Sequence, residues 1–361
     1  MNRLARRIST LIETHGPVSI AQFMIMALHD PSDGYYATRQ PIGEAGDFIT
    51  APEISQIFGE LLGLWIVQAW RDQGCPSPAR LVELGPGRGT LMADALRAAR
   101  VDPKFLSSIE VVLVEASATL REQQAATLEK TTTRLGVRWI ERFDDSPADR
   151  PLFLLANEFF DALPIRQFIL TERGWGERMV GIDKDGELTF ALAPVAAMPA
   201  IASERGLPDM GAVYETSPAA ESIVAQIAHA IASKGGAALI VDYGYGADAG
   251  FGETLQAVAE HKFAQVLDQP GEADLSAHVD FAALARATEL GGARAYGPVE
   301  QSLLLQSLGI SARADRLMQA NREQRDAIAA AVERLVSPQA MGRLFKALAI
   351  MPKRAPRPPG F

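Results

Sequence analysis

The run LVELGPGRGT, residues 81–90, restricts the fold more than any other stretch of the chain. Arg80–Leu84 reads as a short apolar strand. Three glycines follow at alternate positions, Gly85, Gly87 and Gly89, and then Thr90 as the N-cap of a helix predicted to about Arg100. A strand feeding a glycine turn and then a helix is the opening unit of a wound α/β sheet. Glycine permits positive φ and close backbone approach to a ligand. The helix start presents N–H groups beside it.

The pattern repeats downstream. Glu110–Glu115 reads as a second strand, with Ser117 capping the next helix. Val137–Ile140 is a third strand and Leu152–Ala156 a fourth, followed at once by NEFFDALP. This alternation predicts a parallel, doubly wound sheet. Arg166–Pro194 breaks the rhythm: it alternates, carries an Asp185-Gly186 turn, and predicts an antiparallel β-insertion. Helix Ala219–Ser233, strand Ala237–Asp242 and helix Phe281–Glu289 return to α/β order.

Both ends read differently. Two amphipathic helices are predicted before a glycine-rich loop, one to His15 and one from Ser19 to about Leu28. A long helix is then predicted after Thr50, with Thr50 and Glu53 as a capping box and Pro52 in its first turn. Gln301–Ala349 reads as helical, and the basic, proline-rich tail PKRAPRPPGF as extended or disordered. The expected division is 1–75 as an N-terminal helical cap, 76–175 with 219–300 as the core, 176–218 as the β-rich insertion, 301–349 as a C-terminal helical extension, and 350–361 as a flexible tail.

Charge and spacing narrow the ligand. The net charge of −9, from 35 basic and 44 acidic residues, gives no global drive toward nucleic acid. The lone Cys75 allows no intrachain disulfide and fits a reducing compartment. No metal is expected, because the five histidines are scattered without ligand spacing. The longest apolar run, Phe58–Trp70, is too short for a bilayer, and MNRLARRIST lacks the apolar core of a secretory signal. A cytoplasmic location is expected, or the mitochondrial matrix for a processed eukaryotic form. The glycine spacing G-x-G-x-G is not the dinucleotide G-x-G-x-x-G, and there is no Walker lysine. Glu83, just before the loop, would repel a pyrophosphate but suit an ammonium or sulfonium. Glu115, at the next strand end, could accept hydrogen bonds from a ribose diol.

An acid before G-x-G-x-G and another at the next strand end resemble S-adenosylmethionine-dependent methyltransferases. The segments GYYATRQPIGEAGDFITAPEISQIFGELLGLW, LVELGPGRGTL, NEFFDALPIRQF, VDYGY and GEADLSAHVDF sharpen the match. In that order they resemble the MidA-like family, which includes the mitochondrial complex I assembly methyltransferase. The resemblance runs from about Gly34 to Phe345, with Ala51 standing where serine is frequent. It implies a class I methyltransferase fold, a Rossmann-like doubly wound sheet carrying the additional elements named above. It also implies S-adenosylmethionine as cofactor and arginine methylation of a protein such as a respiratory complex I subunit. The alternatives are methylation of a small molecule, or a non-catalytic assembly factor that binds the cofactor.

The candidate cofactor residues are Thr50, Glu83, Gly85, Pro86, Gly87, Gly89, Glu115 and Asn157. The candidate catalytic residues are Glu158 and Asp161, on the loop after the fourth strand, where open α/β sheets bind ligands. Their carboxylates would hold a cationic acceptor, since a guanidinium stays protonated in water and pairs with a carboxylate as a planar fork. The competing readings are local: Asn157 or Asp161 as a helix N-cap, and Thr50 with Glu53 as a plain helix start. Tyr35 and Tyr36 read as packing residues, with cation–π contact as the functional alternative. Asp242-Tyr243 closes the fifth strand on the same rim. For His278 both proton acceptance and structure stay open, and Asp280 reads as an N-cap.

Overall fold

A computed structural model of the chain describes residues 1–39, 49–129, 136–146, 149–195, 206–247 and 250–361. The glycine-rich half of the loop after the second helix, with the GDF that opens GDFITAPEISQIFGE, lies outside the described residues. So does part of the β-insertion, at 196–205. The chain divides into two units. One comprises 1–48, 161–220 and 245–280; the other comprises 49–160, 221–244 and 281–361.

The first unit begins with the two expected helices, Arg3–His15 and Ile20–His29. Asn2 caps the first through Ala5 N–H, and Gly16 ends it in the left-handed region at φ 87°. Ser19 and Gln22 form a reciprocal capping box on the second. Leu4, Ile8 and Ile12 recur at helical spacing and are buried with Phe23, Met24 and Tyr35. An antiparallel sheet runs Val18–Ser19, Gly174–Ile182, Arg166–Thr171, Val213–Thr216, with Leu188–Pro194 also paired to Gly174–Ile182. A small sheet of Lys262–Ala264, Gln256–Ala259 and Asp274–Ser276 completes the unit.

The second unit is built on the wound sheet. In spatial order its strands are Val137–Ile140, Ile109–Val114, Ala79–Leu84, Leu152–Asn157, Gly236–Tyr245, Phe345–Met351 and Arg294–Glu300. The first five run parallel to one another. Phe345–Met351 inserts antiparallel to both strands beside it. This is the mostly parallel, doubly wound α/β sheet expected from the sequence. Helices Gln56–Asp72 and Thr90–Ala98 pack together on it with their backbones almost touching. A Cβ at Gly63 would lie 2.5 Å from Ala95 Cα. That contact accounts for a glycine inside a helix, where it otherwise costs about 1 kcal/mol.

Five local expectations need correction. The long helix after Thr50 is two helices, Ala51–Ile54 and Gln56–Asp72, parted at Ser55 with φ −156°. Thr50 makes no side-chain cap. The capping box fails because the Glu53 carboxylate is taken by the Thr90 hydroxyl and by Arg88. Ser55 caps the second helix instead, accepting Ile57 N–H at 3.3 Å. Likewise Gly89, at φ 83°, is the N-cap after the glycine loop, and Thr90 is already helical.

The C-terminal stretch forms helices Gln301–Ser307, Ile310–Ala320, Arg325–Val336 and Met341–Leu344, but Phe345–Met351 is a strand. It is buried on both faces, so it lacks the alternation that would mark a strand. Its alanines and leucine favour helix on propensity alone. The tail is packed rather than disordered: Pro359 O accepts Trp65 Nε1–H at 3.1 Å, and the Phe361 ring meets Trp65 edge-on.

Candidate active site

In an open parallel sheet, ligands sit beyond the carboxyl ends of the strands where the winding reverses. Here the reversal falls at Ala79–Leu84, flanked by Ile109–Val114 on one side and Leu152–Asn157 on the other. Leu84 pairs with Val114 and with Ala156, so three carboxyl ends stand in register. The segments that follow them carry the glycine loop, Glu115, and Asn157 with Glu158.

All three loop glycines have positive φ: 58° at Gly85, 52° at Gly87 and 83° at Gly89. The loop closes on itself through Gly89 N–H to Pro86 O at 2.7 Å. Pro86 is buried. A Cβ at Gly85 would stand 2.9 Å from the Phe159 ring, so a side chain there would collide with the loop after the fourth strand. The turn therefore needs glycine both for its dihedrals and for its close neighbours.

Glu83 is 2% exposed at the end of the strand feeding this loop. Its carboxyl accepts the backbone N–H of Met92, in the first turn of the following helix, while Oε2 has no partner among the described residues. Burial pushes its pKa up to about 8; the Met92 hydrogen bond opposes the shift. Across the rim Asn157, also buried, leaves Oδ1 without a hydrogen-bond partner among the described residues. The rim thus holds two buried oxygens without partners among the described residues, and a cationic ligand beside them would favour the ionised form of Glu83.

Glu115 is held on both oxygens. Ser117 N–H donates to Oε1 at 2.8 Å and Gln124 Nε2 to Oε2 at 3.1 Å. Burial raises its pKa, against these donors. Gln124, fully buried, also donates to Gly87 O at 2.8 Å and accepts Trp139 Nε1–H at 2.8 Å. One amide thereby ties the glycine loop to the next strand's acid.

Glu158 occupies a left-handed conformation at φ 50°. Its N–H donates to Val241 O at 3.0 Å, which anchors it to the fifth strand. Ala51 N–H at 3.1 Å and Asn157 Nδ2 at 3.0 Å both donate to its Oε1. The next two N–H groups, of Phe159 and Phe160, donate to Asp242 Oδ2 at 3.1 and 2.9 Å. Asp242, wholly buried, fixes the loop. Asn157 ends its strand and caps no described helix. Thr50 lies at the start of the segment whose next residue donates to Glu158, and its carbonyl accepts Glu53 N–H.

Asp161 belongs to the first unit, where its carbonyl accepts Ala277 N–H at 2.9 Å. Tyr36 of that unit donates to Asp274 Oδ1 at 3.1 Å and stacks on His29. Burial, then the charges of Asp274 and Asp161, hold its pKa above the ordinary value. Tyr35 is fully buried in the core. The His278 backbone N–H donates to Thr254 Oγ1, and burial lowers the pKa of its ring.

Sequence reasoning missed Gln124, the Ala51 N–H and the anchoring role of Asp242. The helix Ala118–Glu129 around Gln124 carries too little amphipathic pattern to mark an inward glutamine. A backbone donor leaves no trace in residue type.

A family model described as S-adenosyl-L-methionine-dependent methyltransferase matches residues 61–299. The chain is 38% identical to protein arginine methyltransferase NDUFAF7, mitochondrial, of Rattus norvegicus, over 97% of this chain and 84% of that protein. The Homo sapiens protein of the same name is also 38% identical, over 97% and 83%. Among solved structures, a Burkholderia thailandensis protein bound to S-adenosyl-homocysteine matches with a TM-score of 0.86 at 30% identity. The match covers 98% of this chain and 95% of that one. The chain belongs to this family of S-adenosylmethionine-dependent methyltransferases.

Proposed function

We propose that the chain transfers the methyl group of S-adenosylmethionine to a guanidinium nitrogen of an arginine side chain in a protein. The observation that carries this reading is the 38% identity, along almost the whole chain, to proteins named protein arginine methyltransferase. A respiratory complex I subunit as the acceptor is supported by the family resemblance. The cytoplasm as its place of action is supported by the single cysteine, with the matrix as the counterpart for a processed eukaryotic form.

The residues on the rim fit the cofactor. Gly85, Pro86, Gly87 and Gly89 would cradle it, Glu115 would accept from its ribose, and Glu83 with Asn157 Oδ1 would receive its ammonium. Thr50 would border it from the neighbouring segment. When bound, S-adenosylmethionine supplies a methyl group on a sulfonium sulfur, open to in-line displacement. Glu158 would orient the acceptor: its charge pairs with the guanidinium and aims one nitrogen, and such positioning supplies much of the rate. Asp161 is proposed as a second acceptor-side carboxylate. One of these carboxylates would take up the proton that the nitrogen loses on methylation, so the guanidinium need not be deprotonated beforehand.

The test is incubation with labelled S-adenosylmethionine and a lysate of cells lacking this protein. The reading expects a labelled protein whose label maps to arginine. Label confined to small molecules, or to another residue type, would reject it.

A further inference from the structure

We propose that Gln124 is a positioning residue for the cofactor, fixing the Glu115 carboxylate relative to the glycine loop. This rests on the assignment of Glu115 and Gly85–Gly89 to S-adenosylmethionine. A carboxylate recognises a ribose diol only if its face is held toward the sugar. Glu115 stands at the end of Ile109–Val114 and the glycines follow Ala79–Leu84. Gly85 N–H donates to Val114 O at 3.1 Å and joins the two backbones, but that bond leaves the Glu115 carboxylate to be tied to the loop by a side chain.

Gln124 supplies the link. Its Nε2 carries two hydrogens, and the two acceptors in reach are Gly87 O at 2.8 Å and Glu115 Oε2 at 3.1 Å. Its Oε1 accepts Trp139 Nε1–H at 2.8 Å. Indole nitrogen is donor only, so Trp139 fixes which end of the amide is oxygen. The reversed amide would set oxygen against a carbonyl and a carboxylate. The helix backbone is also close, since a Cβ at Gly89 would lie 3.3 Å from Gln124 Cα. With Ser117 N–H holding the other oxygen, Glu115 is fixed at both ends of its carboxylate. The side chain is fully buried, so it acts through Gly87 and Glu115 and not by meeting solvent-borne ligand. Side chains in one hydrogen-bonded network act non-additively, and a double-mutant cycle measures that coupling.

The experiment measures S-adenosylmethionine affinity by calorimetry for the wild type, Gln124→Met, Glu115→Ala and the double variant. Methionine keeps approximate shape and removes both donors. Each single change is expected to weaken binding at least ~10-fold, about one decade per 1.4 kcal/mol. The double variant should bind no more than ~3-fold more weakly than Glu115→Ala alone. Should Gln124→Met fail to fold, Gln124→Leu carries the same comparison, because it also removes both donors and brings no charge beside Glu115. Affinity within ~2-fold of wild type in the Gln124 variant, with Glu115→Ala weakened, would overturn the proposal, as would losses that simply multiply. Unchanged affinity in Glu115→Ala is a different failure: it removes the cofactor assignment of Glu115 on which the proposal stands.

Discussion

The backbone N–H of Ala51 donates to Oε1 of Glu158 at 3.1 Å, joining residues 107 positions apart. Asn157 Nδ2 donates to the same oxygen. The acid proposed to orient the acceptor is therefore already oriented by its surroundings, and its left-handed backbone is fixed by Val241 O and by the Asp242 contacts to the next two residues.

That geometry separates charge from position. Glu158→Gln retains an oxygen able to accept both donors but loses the negative charge. Methyl transfer should fall ~100-fold or more, the scale for losing one preorganised electrostatic group. S-adenosylmethionine affinity should stay within ~3-fold. Single-turnover methylation and calorimetry are read in parallel. Full activity would remove Glu158 from the acceptor side, and lost cofactor binding would move it to the cofactor side.

Gly87→Val tests the loop. At φ 52° a β-branched side chain is strained by ~1–2 kcal/mol or more before any ligand is considered. Affinity for both S-adenosylmethionine and S-adenosyl-homocysteine should drop by at least ~10-fold. Far-UV circular dichroism should stay native. Wild-type affinity would remove the loop from the cofactor site.

Glu60 should matter for stability and not for the cofactor. It is 4% exposed in helix Gln56–Asp72 and pairs with Arg97 and with Arg313. Burial opposes its charge, but the two arginines outweigh burial and hold its pKa below the ordinary value. Glu60→Gln leaves two guanidinium groups short of their counter-charge and should cost about 3 kcal/mol in urea unfolding at pH 7. Because the pKa is lowered, this stabilisation is present above the unfolded carboxyl's pKa and is lost as pH falls through the folded one. A cost below ~0.5 kcal/mol at pH 7 would show the cluster to be a solvated surface pair.

The glycine loop was legible in the sequence because its requirement is local. Positive φ at three alternate positions, between a strand and a helix, admits little besides glycine. The parallel strands were legible as short apolar runs at regular spacing. Thr50 and Glu53 misled because a capping box competes with any better partner. Thr90, 37 residues on from Glu53, took that carboxylate. Phe345–Met351 was hidden by burial on both faces, which erases a strand's alternation. Trp65 could not announce from position 65 that its indole N–H would meet Pro359 O. Gln124 shows the same limit at the site itself: a buried amide among helix residues gains meaning only once its three partners are brought to it.

Glu83 makes the pH dependence of the molecule testable with a definite sign. Its carboxyl is 2% exposed and one oxygen lacks a partner, and burial raises its pKa from 4.5 to about 8. Between those values the unfolded chain has lost this proton while the folded chain still holds it. The folded state then binds more protons, so stability must fall as pH rises through that window and level off above pH ~8. The full effect is on the order of 3–5 kcal/mol at ~1.4 kcal/mol per pKa unit. Glu83→Gln keeps the shape and one acceptor for Met92 N–H but carries no charge. Urea unfolding of the cofactor-free protein at pH 5 and pH 8 should show a decline in the wild type that Glu83→Gln lacks. The variant should be the more stable protein at pH 8. A cationic ligand beside Glu83 favours its ionised form, so S-adenosylmethionine affinity should rise with pH across the same window in the wild type and stay flat in Glu83→Gln. If the wild type and the variant share one pH profile in both measurements, Glu83 does not titrate as its burial requires. If only the stability profiles differ, the buried acid titrates but does not face the cofactor.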